Sequence, residues 1–407
     1  MYKKLWVLFS GTMLAQIIPL FTLPIITRLF GPEEIGIYSL YLTVVSIGVI
    51  FTTMRFEMAI PLVSHKKIKQ VLKNIIYINF IAAILFAFFL TIFLNNINLF
   101  SHYNPYSIGI LAFISVNSVG IYQVFYQYGI KNTEFKVVST NKVTNQINIA
   151  IFSLIIGYFL NSYLIWAVVI AQILCIITLK FRLKLDFVDT VFSFKQLKET
   201  IIEYRKFPLL QLPIQLLSTL SSNSILLATS FLFTSQELGF YSLTERILRS
   251  PISILGSGSA DLFKNMATKE MEYKGNCAKS YKKILVFNFI TGIPIFVVLY
   301  FIIDLVIYYF FGEIWMESAR YSKILIPSLF AMYIVYPVNY LFILYDYQNI
   351  EFYIQAVQLL AIVLAVLWIF NKNLNITDLL IIYAVISTLI SIVTGVLGFL
   401  IIKLSRR

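Results

Sequence analysis

Apolar runs of about twenty residues recur along almost the whole chain, and each is long enough to cross a ~30 Å hydrocarbon core as an α-helix. They lie near 5–30, 35–61, 71–95, 106–130, 137–160, 163–181, 207–233, 238–263, 284–311, 321–345, 351–370 and 376–402. Twelve membrane spans are therefore expected. A transmembrane β-barrel would alternate apolar and polar residues in short strands, and these runs are continuous. Composition agrees: of 407 residues 59% are hydrophobic and 13% charged, where a soluble domain carries roughly 25% charge. Disorder is excluded by the same hydrophobicity. The first run exceeds a signal-peptide core and ends in Thr27-Arg28 without a cleavage site, so it reads as a span.

The formal charge is +13, which would suggest nucleic acid if the basic residues formed one patch. They form short clusters between apolar runs instead, so no nucleic-acid partner is expected. With the N-terminus inside, 25 of the 32 Lys and Arg fall in cytoplasmic segments, including Lys66, Lys67, Lys69, Lys73, the 182–206 connection and the 264–283 connection. Arg28, Arg320, Lys323 and Lys372 fall at external ends, and Arg55, Arg246 and Arg249 within spans. This is a positive-inside pattern, and it puts both termini in the cytoplasm of a multi-pass protein of the inner (plasma) membrane. The bilayer is the first partner. The 182–206 segment reads as an interfacial amphipathic helix. Cys175 and Cys277 suggest neither disulfide nor metal site. With His65 and His102 as the only histidines, a zinc site or a His-based triad is not expected, and no cofactor is.

Glu33-Glu34-Ile35-Gly36-Ile37-Tyr38-Ser39-Leu40 recurs as Gln236-Glu237-Leu238-Gly239-Phe240-Tyr241-Ser242-Leu243. Each copy follows the first span of its half and opens the second, with Glu near a positive helix end. Six spans per half insert in the same direction. The expected fold is therefore an all-α integral membrane protein, with two six-helix lobes related by a pseudo-two-fold axis along the membrane normal. The lobes are 1–181 and 207–407, joined by 182–206. Pro19 and Pro24 in the first span, and Pro208 and Pro213 in the seventh, read either as interruptions beside a central site or as packing kinks. Gly256 and Gly258 read as points of close helix packing.

An arginine in mid-membrane marks a pathway unless it is paired. Taking 238 as the outer end, Arg246 lies on the order of 12 Å deep at the helical rise. Arg249 follows at i+3, and Glu245 stands four residues before it in the favourable order for an ion pair. Arg55 is near the inner boundary, where snorkelling is common. Glu57, two positions on, is not expected to share its helical face. Arg28 reads as an outer anchor. Glu57, Glu245, Asp261 and Asp304 are candidate coupling carboxylates.

Ser10-Gly11-Thr12, the stretch Pro24-Ile25-Ile26-Thr27-Arg28-Leu29-Phe30-Gly31-Pro32-Glu33-Glu34-Ile35-Gly36, then Arg55-Phe56-Glu57-Met58-Ala59-Ile60-Pro61-Leu62 and Phe311-Gly312-Glu313-Ile314-Trp315 resemble the Wzx polysaccharide (O-antigen and capsule) flippases of the MOP superfamily, to which the MATE exporters also belong. The resemblance implies a two-lobed transporter that moves undecaprenyl-pyrophosphate-linked oligosaccharide to the external leaflet. It also implies a polysaccharide polymerase and a chain-length regulator as further partners. A related flippase for the peptidoglycan lipid precursor concentrates lumen arginines on its first, second and eighth helices. By that resemblance Arg246, Arg249, Arg28 and Arg55 form the substrate-binding cationic lumen, because guanidinium grips pyrophosphate bidentately. Two alternatives remain at this point. A MATE-like ion-coupled small-molecule exporter would want a buried acid, often on the first helix, and the 5–30 run has neither Asp nor Glu. An enzyme would want an external domain or a metal-binding acidic motif, and none is evident in the sequence.

Overall fold

The computed structural model describes residues 2–97, 99–100, 103–160, 162–185 and 193–404. Of the expected 182–206 connection, 186–192 lies outside the described residues, as do the terminal Arg406 and Arg407 and the histidine at 102. The described backbone is helical throughout, in two compact units, Met1–Leu220 and Ser221–Arg407.

Unit 1 holds α1 (Tyr2–Leu29), α2 (Pro32–Thr53), α3 (Ile68–Asn96), α4 (Pro105–Lys131), α5 (Phe135–Leu160), α6 (Leu164–Arg182) and the short α7 (Phe194–Glu203). A π-helical turn, Phe207–Gln211, then leads into α8 (Leu212–Ser222). Unit 2 holds α9 (Ser224–Leu232), α10 (Ser235–Lys274), α11 (Ala278–Phe311), α12 (Met316–Val335), α13 (Tyr340–Leu344), α14 (Gln348–Lys372) and α15 (Ile376–Leu404).

Ten of these helical stretches, among the described residues, are long and apolar enough to cross a membrane. The expected seventh and eighth spans fall short of that measure for physical reasons. The seventh is broken: α8 ends at Ser222 and α9 starts at Ser224, with Asn223 between them. The eighth, α10, is one helix of 40 residues carrying Glu245, Arg246, Arg249 and Asp261. The second span also differs from its expected 35–61 extent. It stops at Thr53, Met54 and Arg55 take left-handed backbone (φ 47° and 61°), and Phe56–Leu62 continues as a 3₁₀ turn. Pro19 and Pro24, by contrast, sit inside an unbroken α1, as neighbours in a bundle allow.

Helix starts follow capping chemistry. Pro32 occupies the first turn of α2 with Glu33 and Glu34, where a fixed φ and negative charge both favour initiation. Thr234 and Glu237 form a reciprocal capping box on α10, Glu237 N donating to Thr234 Oγ1 at 3.2 Å and Thr234 N to Glu237 Oε2 at 2.9 Å. The two repeat copies thus open α2 and α10. Their Tyr38, Ser39 and Leu40, and Tyr241, Ser242 and Leu243, are all buried. Glu34 is buried as well, and accepts from the Tyr103 hydroxyl at 2.8 Å and from Leu164 N at 2.7 Å. It therefore fastens the start of α2 to two other segments of unit 1.

Close packing in unit 1 falls on glycines other than those expected. A Cβ on Gly48 would lie 2.7 Å from Phe86 and 2.8 Å from Val116, so α2, α3 and α4 meet where no side chain fits. At Gly256 and Gly258, among the described residues, nothing lies within 4 Å of such an atom, which does not bear out their reading as packing points. Phe56, Ile60, Leu72, Ile75, Val124 and Leu179 make the buried cluster beneath the 3₁₀ turn.

The α7 helix carries exposed Phe194, Ile201 and Ile202, an apolar edge suited to an interface. It is held to α3 by Asn74, whose Nδ2 donates to Thr200 Oγ1 at 2.8 Å and to the Gln196 carbonyl at 3.1 Å. Asn74 is fully buried, and Asn74→Ala would leave its partners unsatisfied at about 1–3 kcal/mol. Faster amide exchange confined to 194–203, with the exchange of α3 unchanged, is the expected result. Unchanged protection there would show that the hydrogen bonds do not hold α7.

Candidate functional site

Helix geometry divides the four expected arginines by position. Arg28 stands in the last turn of α1, and Arg55 follows the end of α2. The 22 residues of α2 between those ends make roughly 33 Å of helix at 1.5 Å per residue. One headgroup cannot touch both at once; they mark the two ends of a hairpin in unit 1. Arg28 has interaction partners within the structure.

Arg55 is not a snorkelling side chain. Its Nη1 lies 3.0 Å from Glu57 Oε1, with the two side chains 15% and 2% exposed. The expectation that the pair would not share a face assumed a continuing helix. The left-handed Met54-Arg55 step ends α2, and beyond it a spacing of two no longer points side chains apart. The Arg55 N–H donates to Thr53 Oγ1 at 3.3 Å, and Met58 N to the Arg55 carbonyl at 3.1 Å, which fix the corner. Lys131, at the end of α4, donates to the carbonyls of Ile60 and Pro61 at 3.1 Å and also to that of Val63. It thereby caps the orphan acceptors of the 3₁₀ turn. Nothing in the local sequence around Lys131 points to this role; by position it is one more basic residue after an apolar run.

Unit 2 contains the second pair. Arg249 Nη2 lies 3.0 Å from Glu245 Oε1 at i,i+4, as the spacing anticipates. The same Nη2 donates to the Ser222 carbonyl at 3.3 Å. That carbonyl is freed because α8 stops at Ser222, so a cation on α10 fills the unsatisfied end of a broken helix. Ser224 Oγ in turn donates to the Ser221 carbonyl at 2.8 Å. Tyr383 on α15 accepts a hydrogen bond from Arg249, a residue no local sequence pattern linked to this site. The serine-rich 218–224 stretch was the signal that something polar happens there.

Arg246 is half-buried on α10, three residues before Arg249, and has interaction partners of its own. Since α10 starts at Ser235 rather than 238, Arg246 is eleven residues in, roughly 16 Å by helical rise. That is farther along the helix than the sequence alone indicated. Of the candidate coupling carboxylates, Glu57 and Glu245 are bound to these arginines. Asp304 on α11 pairs with Lys323 on α12, whose ammonium also lies 5.8 Å from the Tyr300 ring. Asp261 is exposed on α10. Three of the four acids are therefore already neutralised by a cation.

The family described as Polysaccharide biosynthesis protein matches residues 25–320. Among solved structures, the inward closed conformation of the lipid II flippase MurJ is similar with a TM-score of 0.75 at 14% identity, covering 96% of this chain and 87% of that one. A eukaryotic MATE transporter, AtDTX14, gives 0.62 at 15% identity over 100% and 97%. An inward-facing multidrug resistance MATE family transporter of the MOP superfamily gives 0.60 at 13% identity over 98% and 95%. At these identities the likeness is one of fold. No curated protein matches the chain.

Proposed function

The chain belongs to the polysaccharide biosynthesis protein family, and from that membership we propose that it is a flippase, carrying undecaprenyl-pyrophosphate-linked oligosaccharide from the cytoplasmic to the external leaflet by alternating access. It is a multi-pass membrane protein with the all-helical fold of the MATE and MurJ transporters. The observation that carries the reading is Arg246, a guanidinium roughly 16 Å along its helix by the helical rise, half-buried beside a broken span. A cation there is costly unless it is paired or faces a water-filled pathway; Arg246 has partners within the protein, and its planar fork also suits pyrophosphate. Counted along their own helices, Arg28 and Arg55 stand at an outer and an inner end, where an anionic headgroup would leave and enter, respectively. The same cations disfavour a cationic drug, which supports a lipid-linked glycan over the exporter alternative. The family and the fold support transport rather than catalysis. We place the protein in the plasma membrane, with the O-antigen or capsule pathway's polymerase and chain-length regulator as partners.

Reconstitution tests this directly. Vesicles containing the purified chain and a fluorescent undecaprenyl-pyrophosphate oligosaccharide should move the probe between leaflets faster than protein-free vesicles, read by an impermeant quencher. Proton- or sodium-driven uptake of an organic cation, with no acceleration of the lipid probe, would establish the exporter instead.

The proposed orientation has its own check. Asn96 and Lys198 are exposed and lie on opposite sides of the membrane in this reading. Single cysteines there should label from outside and only after permeabilisation, respectively. The native Cys175 and Cys277 are buried, and burial raises the Cys277 thiol's pKa, so their thiolate background is low. The reverse pattern would invert the direction of transport proposed above.

A further inference from the structure

A second site lies in unit 2, away from the arginines. Between α11, α12 and α15 runs a groove of about 820 Å³, within the range of pockets that enclose a sizeable ligand. Its walls are apolar, with Val286 and Phe289 on α11, Val335 on α12 and Phe399 on α15. Its mouth is not. Lys279 and Lys282 stand in the first turns of α11, on the stripe that continues through Val286 and Phe289 at i+3, i+4 and i+7. Both are exposed, as are Lys283 beside them and Lys403 at the end of α15.

The groove has a measurable length. From Lys279 to Phe289 on α11, and from Ile392 to Ile402 on α15, its lining spans ten residues, roughly 15 Å at the helical rise. That is one leaflet of a ~30 Å core. It is open because Gly395 contributes no side chain: a Cβ there would meet only Val335, at 3.5 Å. The floor is pinned where the Tyr281 hydroxyl donates to the Gly395 carbonyl at 2.7 Å. Glu270 on α10, which reaches the start of α11, accepts from Lys279 N at 3.2 Å, Ser280 N at 2.7 Å and Ser280 Oγ at 2.6 Å. Lys279 and Lys282 are therefore exposed beside an acid that backbone and hydroxyl donors already engage.

We propose that this groove is a binding site for an anionic phospholipid of the leaflet beside the 264–283 connection, with acyl chains against Val286, Phe289 and Phe399 and the phosphate at Lys279 and Lys282. The one-leaflet length suits ordinary acyl chains and leaves a C55 polyprenyl tail without room, so the occupant is a membrane lipid rather than the cargo. Basic residues at a cytoplasmic helix end select anionic headgroups, and lysine stems lie along apolar walls while their ammonium groups reach the interface. The site stands independently of what the protein transports.

Phosphatidylglycerol and phosphatidylcholine of identical chains, added to the full chain in detergent and counted by native mass spectrometry, test it. Phosphatidylglycerol should bind the unaltered chain more tightly than phosphatidylcholine. Lys279→Gln/Lys282→Gln should weaken phosphatidylglycerol by roughly 30-fold, about fivefold per lysine, with phosphatidylcholine unchanged. Gly395→Leu, which fills the floor, should lower retention of both lipids. No preference in the unaltered chain, or equal phosphatidylglycerol affinity in the double variant, overturns the proposal. Lipid flipping by the reconstituted chain is scored separately, so failure of one reading leaves the other standing.

Discussion

Arg246→Ala is expected to abolish surface polysaccharide, with lipid-linked oligosaccharide accumulating inside and the protein's membrane abundance unchanged. Loss of a charge-assisted contact to a pyrophosphate removes about 2–3 kcal/mol, on the order of a 30- to 150-fold loss of binding. Arg246→Lys should keep part of the activity, because the charge survives while the bidentate fork is lost. Arg249→Ala should be milder for export, since that guanidinium already serves Glu245 and the Ser222 carbonyl. The double change Glu245→Gln with Arg249→Ala then separates the two duties: it should lower protein level through the broken span more than export per molecule. Normal glycan export by a stably inserted Arg246→Glu protein would end the cationic-lumen reading, because a carboxylate at that depth repels the headgroup.

Glu57→Ala should be the most destabilising single change in unit 1. Its two carboxylate oxygens are buried, and the Arg55 guanidinium at 3.0 Å is the charge that compensates them. Removing one partner of such a pair costs about 3–5 kcal/mol, because the other charge is left buried. Arg55→Ala should cost a similar amount, and the corner at Met54-Arg55 should lose its fixed geometry. Removing both charges with Arg55→Met and Glu57→Gln should recover much of the loss, since an apolar replacement of a buried pair is often near neutral. Thermal unfolding of the detergent-purified Arg55→Met, Glu57→Gln and Arg55→Met/Glu57→Gln proteins provides the double-mutant cycle. Additive losses in the double variant would show that the 3.0 Å contact contributes nothing. A transport defect in a fully stable double variant would instead assign Arg55 to the entry of the headgroup.

Hydropathy alone determined that this is a polytopic helical membrane protein, because a bilayer permits few structures and each leaves a long apolar signature. The repeat around Tyr38 and Tyr241 marked the start of corresponding helices, and the i,i+4 order anticipated the Glu245–Arg249 pair. Those are local relations, legible wherever a helix continues. The sequence could not show where helices stop for reasons other than proline. The break at Asn223 and the left-handed corner at Met54-Arg55 are set by packing of neighbouring segments, so the partnerships they create, Arg55 with Glu57 and Arg249 with Ser222, were invisible or misread. Lys131 on the carbonyls of Ile60 and Pro61, Asn74 on Thr200 and Tyr383 on Arg249 join residues 70 to 134 positions apart. Periodicity carries no information about such contacts. Charge and hydropathy were enough to name the solvent and the architecture; which residues partner Arg55, Arg249 and Asn74 was decided only when segments distant in sequence packed around them.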